Sequence, residues 1–311
     1  MSVLICGSVA YDTIMVFQDQ FKKHILPEQI HILNVSFLVP QMRREFGGCA
    51  GNIAYALKLV GGSPLVMAAV GEDFGPYRSR LASLGIPDTH LREVVGAFTA
   101  QAFITTDLDD NQITAFHPGA MSYSQLNHVE DARGVTLGLV GPDGREGMLQ
   151  HAKGLFDAGI PFVFDPGQAM PLFSGEEFLK FIEWASWCTV NDYEAHLLCE
   201  RTGLTLDGIA ARVEGLIVTR GGEGSTVYSD GRITQVAAVP ARELADPTGC
   251  GDAYRGGLLY GLGEGWSLEK SCRLASVIGA YKIEARGPQN YAPSLEEIAA
   301  RYAAAYGESL F

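Results

Sequence analysis

The chain lacks the residue patterns that mark several large classes of protein. Its six cysteines, Cys6, Cys49, Cys188, Cys199, Cys250 and Cys272, include no CxxC pair, which speaks against a zinc knuckle or a dithiol redox centre. None of its seven histidines falls in an HxxxH pair, so a histidine-ligated metal has no support. Basic residues are scarce: 23 Lys and Arg stand against 36 Asp and Glu, a formal charge of −13. The adjacent basic pairs are Lys22–Lys23 and Arg43–Arg44. This balance repels phosphodiester backbones and anionic lipid, and it excludes nucleic acid as a first partner. No apolar run approaches the ~20 residues that span a bilayer, and the first residues carry no basic stretch ahead of an apolar segment. The expectation is a cytoplasmic protein with free thiols and no membrane partner.

What is present is a large stock of core-forming residues, 47% hydrophobic over 311 positions, enough for one long α/β domain. Val3–Gly7 is a short apolar run closed by glycine, as a buried parallel strand would be. Pro64–Val70 into Gly71, Phe162–Phe164 into Asp165 and Leu216–Val218 into Thr219 repeat the pattern, with periodic or charged segments between. Strands alternating with helical stretches predict a doubly wound, mainly parallel sheet with helices on both faces, whose ligands collect at the carboxyl ends of the strands.

Two stretches break the rhythm. Residues 13–39 are rich in aromatic and β-branched types, and 98–117 alternates through Gln101, Phe103, Thr105 and again through Gln112, Thr114, Phe116. The polar run Asp107–Asn111 between those alternations reads as a hairpin turn; the glycine and terminal glutamate of a calcium loop are missing. The expectation is a small β lid built from 13–39 and 98–117 on a large unit built from 1–12, 40–97 and 118–311.

The chemistry concentrates in Asp246-Pro-Thr-Gly-Cys-Gly-Asp-Ala-Tyr254, ahead of a helical pattern with Leu258, Leu259 and Leu262. Gly249 and Gly251 allow backbone N–H groups at a helix N-terminus to approach an anion closely. Asp252 beside such a pocket repels the ligand unless it has another task. It reads either as a cap of its helix or as a general base that accepts a hydroxyl proton while the N–H groups stabilise developing charge. Gly47-Gly-Cys-Ala-Gly-Asn52 is a second glycine-rich entry to a helix, where Asn52 suits a vicinal diol and Gly48 presents bare backbone. Asp12, just after the first strand, serves either a turn or a pair of sugar hydroxyls.

In this order the three features resemble the ribokinase family of carbohydrate and nucleoside kinases, also called the PfkB family, over nearly the whole chain. Its C-terminal signature DTxGAGDxF differs from residues 246–254 at Pro247, Cys250 and Tyr254. Its glycine signature matches 47–52, its NxxE motif matches Asn191–Glu194, and its nucleotide loop matches Thr219–Gly224. The resemblance implies a ribokinase-like fold, ATP and magnesium. It makes Asp252 the base and the backbone of Gly249, Cys250 and Gly251 an anion hole. It gives the ribose to Asp12, Gly48 and Asn52, and the nucleotide to Asn191, Thr219, Gly222 and Gly224. Glu194 would hold magnesium through water. Asp246 and Thr248, with the chain around 286–290, would supply oxygens to a potassium ion, and the exposed face of the lid would make a homodimer.

Within that family the segments 2–16 and 47–52 and the lid look most like the bacterial adenosine-kinase branch. The resemblance implies transfer to the 5′-hydroxyl of adenosine, inosine or guanosine, with Gln101, Phe103 and Phe116 of the lid near the base. A ribokinase-like or fructokinase-like sugar kinase is the alternative within the family, and a non-catalytic nucleoside-binding protein is the alternative outside it. A dinucleotide-dependent oxidoreductase is excluded because no GxGxxG follows the first strand.

Overall fold

The computed structural model describes residues 2–25, 35–109 and 111–311. Asp110, and the part of the expected lid over 26–34, lie outside the described residues. The strands are β1 (Ser2–Cys6), β2 (Ala10–Val16), β3 (Gln41–Gly47), β4 (Ser63–Val70), β5 (Leu91–Glu93), β6 (Ala100–Thr106), β7 (Gln112–His117), β8 (Val135–Val140), β9 (Phe162–Phe164), β10 (Trp187–Asn191), β11 (Gly215–Thr219), β12 (Ser225–Ser229) and β13 (Arg232–Val236). The helices are α1 (Cys49–Leu59), α2 (Gly75–Ser83), α3 (Arg145–Asp157), α4 (Gly175–Trp184), α5 (Asp192–Thr202), α6 (Leu206–Ala210), α7 (Cys250–Gly263), α8 (Leu268–Ile283) and α9 (Leu295–Tyr306).

The large sheet runs β13-β12-β11-β10-β9-β8-β1-β4-β5, parallel from β11 to β5 with an antiparallel edge at β12 and β13. The alternation of β1 explains its layers: Val3 and Ile5 enter one core with α1, α7, α8 and α9, while Leu4 and Cys6 enter a second core with α3, α4 and α5. A strand buried on both faces must be apolar at every position, which is why these segments read as continuous runs.

The small sheet has the order β3-β2-β6-β7. It takes in residues 10–12 and 41–47, which the sequence reading places in the larger unit. Gln41–Phe46 is charged on both sides and carries no apolar alternation, yet its backbone pairs with β2 from Ala10↔Gly47 to Val16↔Gln41. The hairpin between β6 and β7 is organised by Asp107, whose Oδ1 accepts the N–H groups of Asp109 and Asn111, both at 2.9 Å. Three residues, Gly7 to Val9, join β1 to β2, and Gly48 alone joins β3 to α1. The two sheets therefore meet at the carboxyl end of the central strand.

Candidate active site

Between the carboxyl ends of β1, β8, β9, β10 and β11 and the inner face of the small sheet lies a cavity of about 1260 Å³. Two helix N-termini converge on it. Gly249 caps α7 with φ of 80° and Gly48 caps α1 with φ of 83°, left-handed values that other residues rarely adopt. A β-carbon at 48 would also sit 2.5 Å from the backbone nitrogen of Ala10, so the turn into α1 admits only glycine.

Asp252 and Asn52 occupy the first turns of these helices, and Asn52 Nδ2 donates to Asp252 Oδ2 at 2.8 Å. Asn52 is held in that orientation from behind. Gln289 Nε2 donates to its Oδ1 at 3.1 Å and to the Tyr77 hydroxyl at 2.7 Å, and Tyr77 donates in turn to Gly47 O at 2.9 Å. Burial pushes the Asp252 carboxyl up to about 6; the Asn52 hydrogen bond opposes this, Asp165 adds to it and Arg255 counters it. Such a group is ionised at neutral pH yet still a usable proton acceptor.

Asp165 and Arg255 form a bidentate pair, Nε–Oδ2 at 2.9 Å and Nη2–Oδ1 at 3.0 Å, with both side chains only 6% exposed. Sequence reasoning missed the pair. Its signals were the placement of Asp165 directly after an apolar strand and of Arg255 one helical turn beyond Asp252. Asp143, beyond β8, was also missed; it is buried on the cavity wall, accepts the Gly144 N–H at 2.8 Å, and is pushed by that burial up to about 7.

Of the residues expected from sequence, Asp252, Gly249, Gly251, Asp12, Gly48, Asn52, Phe116, Asn191, Glu194, Thr219 and Thr248 line the cavity together. Burial, then the charges of Glu45 and Asp246, push Asp12 up to about 6. Asn191 and Glu194 form a reciprocal capping box on α5, each accepting the other's backbone N–H at 2.8 Å, and they face the cavity from that cap. Burial and Asp165 together hold Glu194 above the usual carboxylate range.

The structure does not bring the other expected residues onto the cavity wall. Gln101 and Phe103 lie on the face of the small sheet turned away from the cavity, because Asp12 pairs with Ala102 and that register puts Ala102 and Ile104 inside. Gln101 is instead buried against Thr13 Oγ1 at 2.6 Å. Cys250 is not a free anion-hole donor, since its N–H is taken by Pro247 O at 3.1 Å and its side chain lies off the lining. Among the described residues no backbone carbonyl takes the N–H of Gly249 or Gly251, so these two remain. Gly222 and Gly224 lie past Thr219 on the turn into β12, off the cavity lining. Asp246 also lies off the lining; its carboxylate, held below the usual range despite its burial, accepts the N–H groups of Thr248 and Gly287, each at 2.9 Å.

Known proteins share this fold. Residues 8–295 match the pfkB family carbohydrate kinase profile. The nucleoside kinase of Methanocaldococcus jannaschii is 32% identical over 271 residues, 86% of this chain and 89% of that protein. The nucleoside kinase of Burkholderia thailandensis in complex with inosine superposes with a TM-score of 0.90 at 52% identity, covering 99% of both chains. Its complex with ADP and inosine gives a TM-score of 0.88 at 54% identity, over 99% of this chain and 97% of that one. With its ribokinase-like sheet, its paired glycine-capped helices and a carboxylate at their junction, the chain belongs to the pfkB carbohydrate kinase family and is a phosphotransferase acting on a hydroxyl group.

Proposed function

We propose that the chain transfers the γ-phosphoryl group of ATP to the 5′-hydroxyl of a purine ribonucleoside, with Asp252 as the general base. The observation that carries this reading is a row across the small sheet. Asp12 pairs with Ala102 and Ala102 with Phe116, so a carboxylate suited to ribose hydroxyls and an aromatic ring suited to a planar base share one face, two strand spacings or about 10 Å apart. A free sugar would fill only the carboxylate end. Ile104, Met121 and Leu172 add apolar surface to the cavity. The Burkholderia relative, solved with inosine and with ADP and inosine, is consistent with that division.

Asp12 and Asn52 hold the ribose diol, and Gly48 lets the sugar approach the backbone. The 5′-hydroxyl then faces Asp252, which accepts its proton as the phosphoryl group arrives. The N–H groups of Gly249 and Gly251, at the positive end of α7, stabilise the charge on the transferred group. Thr219, on the cavity wall, faces the nucleotide. Magnesium neutralises phosphate charge in such transfers. Glu194, on the cavity wall, would hold such an ion through water.

Initial rates with ATP and adenosine, inosine, guanosine, cytidine, ribose and fructose test the reading. Purine nucleosides should lead. Efficient turnover of ribose with none of any nucleoside would replace the proposal with a sugar kinase.

A further inference from the structure

Lys282, in the last turn of α8, is fully buried, and its ammonium donates to the main-chain carbonyls of Asp246 at 2.8 Å and Ala285 at 2.9 Å. Both acceptors are carbonyl oxygens rather than carboxylates. That is how a dehydrated monovalent cation is held, by carbonyl dipoles that replace its water. Burying an ammonium is costly, so its retention in the core calls for a use. Its two partners open the two loops that shape the phosphate end of the site. Asp246 begins the loop to Gly249 and Gly251, and Ala285 begins the segment that carries Pro288 against Gly249 and Gln289 against Asn52. The loops are tied to each other as well, by Gly287 N–H to Asp246 Oδ2.

The family resemblance places potassium at Asp246 and Thr248 with help from the chain after 285. The residues present do not fit one there. Both Asp246 carboxylate oxygens are committed to backbone N–H groups, and its carbonyl already receives the ammonium. A potassium ion sharing that carbonyl would stand close to a like charge in a partly desolvated site.

We infer that the Lys282 ammonium takes the place of a bound monovalent cation beneath the phosphate-facing loop, so that this chain carries out phosphoryl transfer without potassium. Lys282 is a positioning residue in this scheme: it fixes the loop whose N–H groups meet the transferred group, and it touches neither substrate. The inference rests on the kinase reading above.

Rates with the best acceptor are compared in potassium, sodium and tetramethylammonium chloride at equal ionic strength, alongside thermal melting in the same salts. The wild-type chain should show equal rates and equal Tm in all three. Lys282→Ala, which vacates the ammonium position, should lose about 10²-fold in kcat with a smaller change in KM, the scale of losing one oxyanion-stabilising group. Potassium or ammonium ions should restore part of that kcat and raise the variant's Tm, whereas sodium should do less. Wild-type rates or Tm that depend strongly on potassium overturn the inference, and so does a Lys282→Ala chain that keeps wild-type kcat. Should the variant not fold, the wild-type salt series decides alone. Melting needs no acceptor, so a chain that fails to phosphorylate nucleosides yet melts independently of potassium overturns the kinase reading and leaves the cation assignment standing.

Discussion

Asp252 and Asp12 both keep their protons up to about pH 6, chiefly because burial disfavours their charge. In the proposed reaction each must be ionised to act, one as base and the other as acceptor for two hydroxyls. The acceptor kcat/KM should therefore fall as pH drops through about 6, more steeply than one ionisation allows, which a pH–rate profile of the free enzyme checks. The same shift has a cost in stability. The folded pKa of Asp252 exceeds its unfolded value near 3.8, so the folded state holds the extra proton between the two, and stability declines as pH rises through that window. Above about pH 6 the penalty is complete, so Asp252→Asn should raise Tm at pH 8 by an amount that shrinks towards pH 4. A Tm gain that is absent at pH 8 would contradict the shift. The Asp165–Arg255 pair works in the opposite sense: Arg255→Met leaves a buried carboxylate alone and should cost about 3–5 kcal/mol in urea unfolding. A loss well under that range would mean the pair is looser than its 6% exposure indicates.

At the scale of elements, the helix starts were legible in the sequence and the strand faces were not. Glycine at 48 and 249 is a local requirement of a left-handed backbone, and the residues three or four places on follow from it. The phase of β6 is set by pairing with β2 and by what lies beneath, which no local pattern contains; the alternation was visible, but Ala102 and Ile104 rather than Gln101 and Phe103 face the cavity. Asp165 and Arg255, 90 positions apart, meet only through the order of the large sheet. Asn191 and Glu194 cap α5 and line the cavity at once. Glu194→Gln preserves the capping geometry and removes the charge, so it should cost under about 1 kcal/mol of stability while raising the magnesium needed for half-maximal rate. An unchanged magnesium requirement in a titration would confine Glu194 to the cap.

The whole molecule divides its labour between two sheets joined at Gly7–Val9 and Gly48. In the proposed reaction the large sheet supplies the phosphate end through its strand termini, and the small sheet supplies the acceptor end through one face. That division separates two phenylalanines on adjacent strands. Phe116→Ala, on the cavity wall, should raise the nucleoside KM, while Phe103→Ala, on the outer face, should leave it within a few-fold. The reverse pattern in acceptor kinetics would place the base on the wrong side of the sheet. The proposed function predicts closure of the small sheet over bound acceptor to exclude water, so ATP hydrolysis without acceptor should be slow; a fast ATPase would speak against that gating.

All of these contributions converge on the junction of α1 and α7, where the proposed reaction sets one carboxylate against the bound alcohol. Calorimetric binding and single-turnover rates of Asp252→Asn with a purine nucleoside and ATP test that junction most directly. Nucleoside affinity should stay within a few-fold of wild type while phosphoryl transfer falls by roughly 10²- to 10⁴-fold. Transfer at a near-normal rate by the asparagine variant would contradict the account.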